Sequence, residues 1–227
     1  MRAETRVPLS RDRVLDAAIA LADEAGLESL TMRKLGQSLG VEAMALYNHV
    51  DSKGDLVDAM VDRVVGEMEL PSDGEWEVAI RTCAVSAHKV FLRHPWACGP
   101  AMGPSNTRGA ARGSRLAYIE WLLGRLDEAG FPPELTYRAY HALDSHILGF
   151  TLWQLGHRGA AKAILEHADA AEFAASLAHE LRAGDYPHLA THLEQHMEAP
   201  SDDGEREFEF GLDLILDGLA RARDDAG

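Results

Sequence analysis

Residues 31–53, TMRKLGQSLGVEAMALYNHVDSK, constrain this chain more than any other stretch. Leu35 and Leu39 stand one helical turn apart, and Gly40 is placed to take the left-handed conformation that closes a helix. A second short helix is expected over 43–50 with Leu46 and Val50 facing inward. Leu35, Leu39, Val41, Leu46 and Val50 then form the apolar lock between the two. Ser52-Lys53-Gly54-Asp55 has the form of a capping box that opens another helix, running to about Met68. Two short helices joined this way are either an ordinary αα-corner or a helix-turn-helix whose second helix enters the DNA major groove. The outward residues Ala43, Met44, Tyr47 and Asn48 are short or hydrogen-bonding, suited to approach base edges and phosphates.

The rest of the chain also reads as helix, with no alternating strand pattern and no repeat. Ser10 and Gly26 bracket a helix over 10–25 whose stripe is Val14, Ala18, Leu21, Ala22 and Ala25. Pro71 ends the N-terminal unit, and Ser72-Asp73-Gly74-Glu75 suggests a second capping box for a helix to about Arg93. Residues 94–108, rich in proline and glycine, are expected to be an irregular connector, either a gate or a bent joint. Further helices are expected over 109–129, 134–157, 160–182, 187–197 and 205–223. The last carries Phe208, Leu212, Ile215, Leu219 and Ala222 at spacings of 4, 3, 4 and 3, a seam that closes inside the chain or against a partner helix. The fold class is therefore all-α, with a boundary at 70/71: a three-helix helix-turn-helix domain over 1–70 and a larger helical domain over 71–227.

Charge narrows the function. Residues 1–66 hold 8 basic and 11 acidic residues, and 67–227 hold 14 and 26. Such acidity opposes non-specific coating of nucleic acid and binding to an anionic membrane. It leaves specific DNA binding open, because the stretch 31–53 has Arg33, Lys34 and Lys53 against Glu42 and Asp51. The apolar stretch 139–155 is interrupted by His141, Asp144, His146 and Gln154, so no membrane span is expected. The opening MRAETRVPLS has no apolar run, and Cys83 and Cys98 make neither a disulfide framework nor a CxxC motif. A cytoplasmic protein without cofactor is expected.

The segment LTMRKLGQSLGVEAMALYNHVDSKGDLVDAMVD closely resembles the DNA-binding end of TetR-type transcriptional regulators, with Leu46-Tyr47-x-His49-Val50-x-x-Lys53 its most specific part. The terminal FEFGLDLILDGL, residues 208–219, is similar to the final helix of the tetracycline-repressor-like subgroup. This resemblance implies that Thr31 caps the second helix and touches a phosphate, and that Arg33 reaches the major groove. It implies that Ala43, Met44 and Asn48 face bases, and that Tyr47, His49 and Lys53 hold phosphates. Ala43 and Ala45 lack polar groups, so more of the base readout falls to methyl contacts and Arg33; an Arg–guanine pair discriminates by about 1–3 kcal/mol. Arg2 and Arg6 suit either a minor-groove arm or a silent tail.

The resemblance further implies a homodimer joined by the 134–157 helix and the last helix, through Phe208, Leu212, Ile215 and Leu219. It implies a repressor that a small molecule releases from a palindromic operator; a ligand-independent regulator or an activator would share the same DNA-binding mode. Trp96, Met102, Trp121, His141, Phe150 and Trp153 are the candidate ligand residues, although aromatic and methionine side chains at helical spacing are more often plain core. Gly66-Glu67-Met68-Glu69 lacks the histidine that tetracycline-binding members carry near there, which speaks against a tetracycline–magnesium ligand. His188, His192 and His196 share one helix face, either solvated or metal-binding, without a fourth ligand at a strong spacing. Catalytic motifs are missing, and no enzyme activity is expected.

Overall fold

A computed structural model describes residues 8–102, 113–165, 176, 179–180, 184, 186–198 and 204–226. Among them are ten α-helices and no strand. They are α1 (Arg11–Ala25), α2 (Met32–Leu39), α3 (Ala43–Leu46), α4 (Lys53–Val65), α5 (Trp76–Arg93), α6 (Cys98–Met102), α7 (Ser114–Glu128), α8 (Pro133–Leu165), α9 (Pro187–Glu198) and α10 (Gly204–Asp224). Two 3-10 turns, Leu27–Ser29 and Pro95–Ala97, sit between them.

Local chemistry accounts for the helix ends of the head. Ser10 Oγ accepts from the Arg13 N–H at 3.3 Å, and Thr31 Oγ1 accepts from the Lys34 N–H at 3.2 Å. Ser52 Oγ accepts from the Asp55 N–H at 3.1 Å and donates to the Asp55 carboxylate at 2.8 Å, so the Ser52 hydroxyl alone makes both bonds of this cap. The expected second capping box does not form. Glu75 is the N-cap residue of α5 without a side-chain bond, because Gly74 turns the chain at φ 96°. The carbonyls of Ser72 and Gly74 instead receive the Arg125 guanidinium of α7.

The described part of the connector, residues 94–102, is helical from Pro95 onward where its composition suggested irregular chain, and 103–108 lie outside the described residues. Pro95 opens a 3-10 turn and Pro100 lies in the first turn of α6, positions where a missing N–H costs little. Downstream, α8 passes through Gly156 and Gly159 to Leu165, so the 157 end and the gap before 160 are not observed. A helical glycine costs only about 1 kcal/mol.

One continuous apolar cluster runs through both halves, from Val14, Leu35 and Leu46 through Met60, Val64, Ile80 and Phe91 to Leu143, Phe208 and Leu216. In the head, α1 packs on α2 and α4; in the C-terminal half, α8 packs on α5 and α10. Helix α4 reaches α5, α6 and α7 as well as α1, so it belongs to both. Salt bridges Arg81–Asp213 and Lys89–Glu205 tie α5 to α10.

The terminal seam closes within the chain. Phe208 and Leu212 are fully buried, Leu219 is buried and Ile215 half-buried, packed into the common core. His88 stacks on Phe208 at 4.1 Å and His146 at 4.8 Å, and His146 Nε2 lies 2.9 Å from the Phe208 carbonyl. The spacing identified a stripe that must be covered, and α5 and α8 cover it. The outer face of α10 shows Phe210 and Leu214 instead, 63% and 59% exposed.

Candidate nucleic-acid interface and its link to the C-terminal half

The turn between α2 and α3 is built by two glycines. Gly40 sits at φ 68°, ψ 33°, and its N–H bonds back to the Gln37 carbonyl at 3.2 Å. Gly36 allows the close approach: a Cβ there would lie 2.8 Å from the Val41 carbonyl oxygen and 3.2 Å from the Ala43 nitrogen. Sequence reasoning assigned the bend to Gly40 and missed Gly36. A glycine inside an amphipathic helix, with no turn to make, was the available signal.

Helix α3 is shorter than expected. It ends at Leu46, and 47–49 continue as a tightened turn in which the Leu46 carbonyl accepts from both His49 (2.9 Å) and Val50 (3.2 Å). The inward and outward faces separate cleanly. Leu46 is 0% exposed, whereas Met44 is 74% and Tyr47 42% exposed. Asn48 is exposed beside them, and Ala43 and His49 are half-buried. Thr31, Arg33 and Lys53 are all exposed, at or near the starts of α2 and α4. All eight candidate DNA-contacting residues thus retain accessible surface on one helix-turn-helix unit and the start of the next helix.

Polar contacts fasten the head to the C-terminal half, among them the Glu69 N–H donating to Ser86 Oγ of α5 at 2.9 Å. His94 Nδ1 and Trp96 Nε1 both reach Asp23 Oδ1 of α1, at 2.8 and 2.7 Å. Arg93 binds Glu67, just beyond α4, at 2.6 Å. Asp62 of α4 accepts from the Arg115 N–H at 3.1 Å and so caps α7 from another helix.

The candidate ligand residues are spread out. Trp96 is buried at the junction with α1, and Trp121 donates to the Pro71 carbonyl at 2.9 Å. His141 is exposed and packs on Tyr137 and Tyr140. Phe150 and Trp153 do meet, with ring centroids 5.4 Å apart, Phe150 half-buried and Trp153 exposed. Met102 ends α6, and its side chain lies outside the described residues. Glu67 pairs with Arg93 and lies 3.4 Å from His94 Nε2, and the end of α4 itself, through Gly66-Glu67-Met68-Glu69, carries no histidine, so it does not fit the tetracycline–magnesium site expected of tetracycline-binding members. His188 and His192 are exposed on α9 and the His196 side chain lies outside the described residues; among the described residues no group of three metal-ligating side chains gathers. Nor is any described helix long and apolar enough to cross a membrane.

Sequence reasoning also passed over Tyr118, Tyr140 and Asp144, which meet between α7 and α8. Tyr118 donates to Asp144 Oδ1 at 3.1 Å. Burial pushes the Asp144 carboxyl above its ordinary value, against the opposing hydrogen bond from Tyr118. Burial also pushes the Cys83 thiol up to about 12 and the Cys98 thiol up to about 11.

Comparison with known proteins agrees with this architecture. Residues 14–60 match the family described as bacterial regulatory proteins, tetR family, and residues 70–223 match the tetracyclin repressor-like C-terminal domain. An HTH-type transcriptional regulator of Saccharopolyspora erythraea is 32% identical over 225 residues, covering 96% of this chain and 88% of the relative. The HTH-type transcriptional repressor DrrR1 of Streptomyces coeruleorubidus is 33% identical, covering 93% and 77%. The crystal structure of the Streptomyces coelicolor TetR family protein ActR in complex with actinorhodin superposes with a TM-score of 0.76 at 26% identity, covering 97% of this chain and 100% of that one. The helix-turn-helix geometry and these matches over both halves make this chain a member of the TetR family, a DNA-binding transcriptional regulator and not an enzyme.

Proposed function

We propose that this regulator is a repressor that holds a palindromic operator as a homodimer and is released when a small molecule occupies the C-terminal half. The carrying observation is the split across α3: Leu46 locks the helix inside while Met44, Tyr47 and Asn48 stand out beside Arg33 and Lys53. Met44 and Ala43 offer apolar contacts to thymine methyls, Arg33 a fork for guanine, and Thr31, Tyr47, His49 and Lys53 donors for phosphates.

Dimerisation finds support in the outer faces of α8 and α10, where Tyr137, Leu152, Trp153, Phe210 and Leu214 are exposed. Exposed apolar side chains on neighbouring helices favour a covering partner, and a second copy satisfies a two-fold operator. Two heads about 34–36 Å apart would read successive major grooves. Ligand release finds support in the relatives: DrrR1 is named a repressor, and ActR binds actinorhodin in its structure. Because α4 packs on α1 and also on α5, α6 and α7, a shift in the C-terminal half reorients the head.

Footprinting of the DNA flanking the gene, across a salt series, tests the reading. A palindrome protected by the native protein, weakened by salt and lost in Tyr47→Ala and Lys53→Ala, is expected. Fractionated small-molecule extracts are then screened for release of that operator. An operator that both variants hold as tightly as the native protein would overturn the assignment of the interface.

A further inference from the structure

The core fixes which way the side chains around α3 point. Leu46 is fully buried and marks the inward direction. Successive helical residues turn by about 100°, so the residues two places before and after Leu46 fall about 200° from it, on the outermost line of the unit. Those residues are Met44 and Asn48, and both are exposed. Ala45 and Tyr47 stand on the two flanks, about 100° from Leu46. The turn tightens over 47–49, with the Asn48 N–H donating to the Ala45 carbonyl at 3.4 Å, and Asn48 stays on the outer side.

The two outermost side chains differ in chemistry. Met44 is apolar. Asn48 carries an amide, whose donor and acceptor lie side by side in one plane. Among the described residues that amide makes no bond within the chain, so both groups are available to a partner.

Resting on the reading of α3 as the helix that enters the major groove, we propose that Asn48 is a specificity-determining residue that reads an adenine in each half-site. Its Nδ2–H donates to adenine N7, and its Oδ1 accepts from the N6 amine. Adenine alone sets an acceptor beside a donor on one major-groove edge. Guanine presents two acceptors, cytosine a donor, and thymine an acceptor beside a methyl. Against guanine the Asn48 carbonyl would face O6, one acceptor against another, and lose its partner. Against a phosphate the amide donates, but Oδ1 is left beside anionic oxygens. The Tyr47 hydroxyl on the flank and the Lys53 ammonium at the start of α4 suit that acceptor-only partner better. Met44, one turn before Asn48, adds an apolar surface that suits a thymine methyl next to the adenine.

The test uses the full-length protein on an operator isolated by selection from random duplex DNA. Each adenine of the operator is replaced in turn by 7-deazaadenine, which loses the N7 acceptor and still pairs with thymine. Binding is titrated with the native protein and with Asn48→Ala. At one adenine per half-site the native protein should lose at least about fivefold in affinity. Asn48→Ala, altered at an exposed position outside the core, should bind the native and substituted operators within about twofold of each other, with low salt keeping its binding measurable. Native binding that ignores every substitution, or a loss that Asn48→Ala retains, would overturn the adenine assignment and leave the DNA-binding reading standing. If selection enriches no operator, that reading fails and the assignment falls with it.

Discussion

The ring nitrogen His94 Nδ1 lies 2.8 Å from Asp23 Oδ1, and these two residues, 71 positions apart, join the C-terminal half to the DNA-binding head. The same carboxylate oxygen accepts from Trp96 Nε1 at 2.7 Å, while His94 Nε2 lies 3.4 Å from Glu67 beyond the end of α4. A carboxylate can only accept, so His94 carries a proton on Nδ1. One acidic residue of α1 thus holds two donors from the segment after α5.

Removing that carboxylate strands both donors at a largely buried junction. Asp23→Ala should cost roughly 1–3 kcal/mol of stability. His94→Ala should cost less when Asp23 is already gone, with a coupling of about 0.5–3 kcal/mol in a double-mutant cycle. Denaturant unfolding of the four proteins measures it, and strict additivity would show that the contact carries no stability.

Gly36 and Gly124 respond oppositely to the same added methyl. At Gly36 the new Cβ meets the Val41 carbonyl at 2.8 Å, and this backbone cannot yield without moving α3. Gly36→Ala should lose about 1–3 kcal/mol and weaken operator binding along with it. At Gly124, inside α7, nothing lies within 4 Å of the added Cβ, and Gly124→Ala should gain about 0.5–1 kcal/mol. Thermal unfolding with operator titration separates the two, and a Gly36→Ala protein that binds DNA normally would refute the close-approach argument.

Asp144 gives stability a definite pH dependence. Its carboxyl is raised in the folded state, first by burial, so the native protein holds this proton over a range where the unfolded chain has released it. Its contribution is therefore favourable below the unfolded value of about 4 and is lost as pH rises through the folded value. Asp144→Asn should raise the melting temperature at pH 7.5, and the gain should shrink toward pH 4. A gain that grows on acidification would contradict the burial argument.

Neither cysteine should act as a redox sensor. Cys83 and Cys98 are buried, and their thiols are pushed up to about 12 and about 11, leaving little thiolate at neutral pH. Iodoacetamide at pH 7.5 should leave both unmodified in the folded protein and label both in urea, as mass spectrometry of the tryptic peptides reads directly. Rapid labelling of the native protein would show that the packing around them opens.

Local chemistry was the legible part of the sequence. Ser10, Thr31 and Ser52 bond as their positions foretell, and Gly26 and Gly40 close their helices at φ 77° and 68°. What needed three dimensions was the identity of each partner. The Ser72–Glu75 spacing satisfies a capping box on paper, but Gly74 turns away and Arg125 takes the freed carbonyls. The stripe from Phe208 to Leu219 announces that something covers it, yet periodicity is silent on whether the cover is the same chain, and here α5 and α8 provide it. Asp144 was visible only as a flaw in an apolar helix, because its meaning depends on Tyr118, 26 residues away. The exposed face of α3 was legible because inward and outward residues alternate within a single turn, whereas the Tyr118–Asp144 contact draws on two helices.

The most direct test of the account is in vitro selection of bound sequences from random duplex DNA, with the mass of the protein–DNA complex determined on the selected site. The account predicts an inverted repeat whose half-sites are centred about one helical turn apart, about 34–36 Å, occupied by an even number of protein chains and lost with Tyr47→Ala. Enrichment of a single asymmetric site bound by one chain, or no enrichment at all, would contradict it.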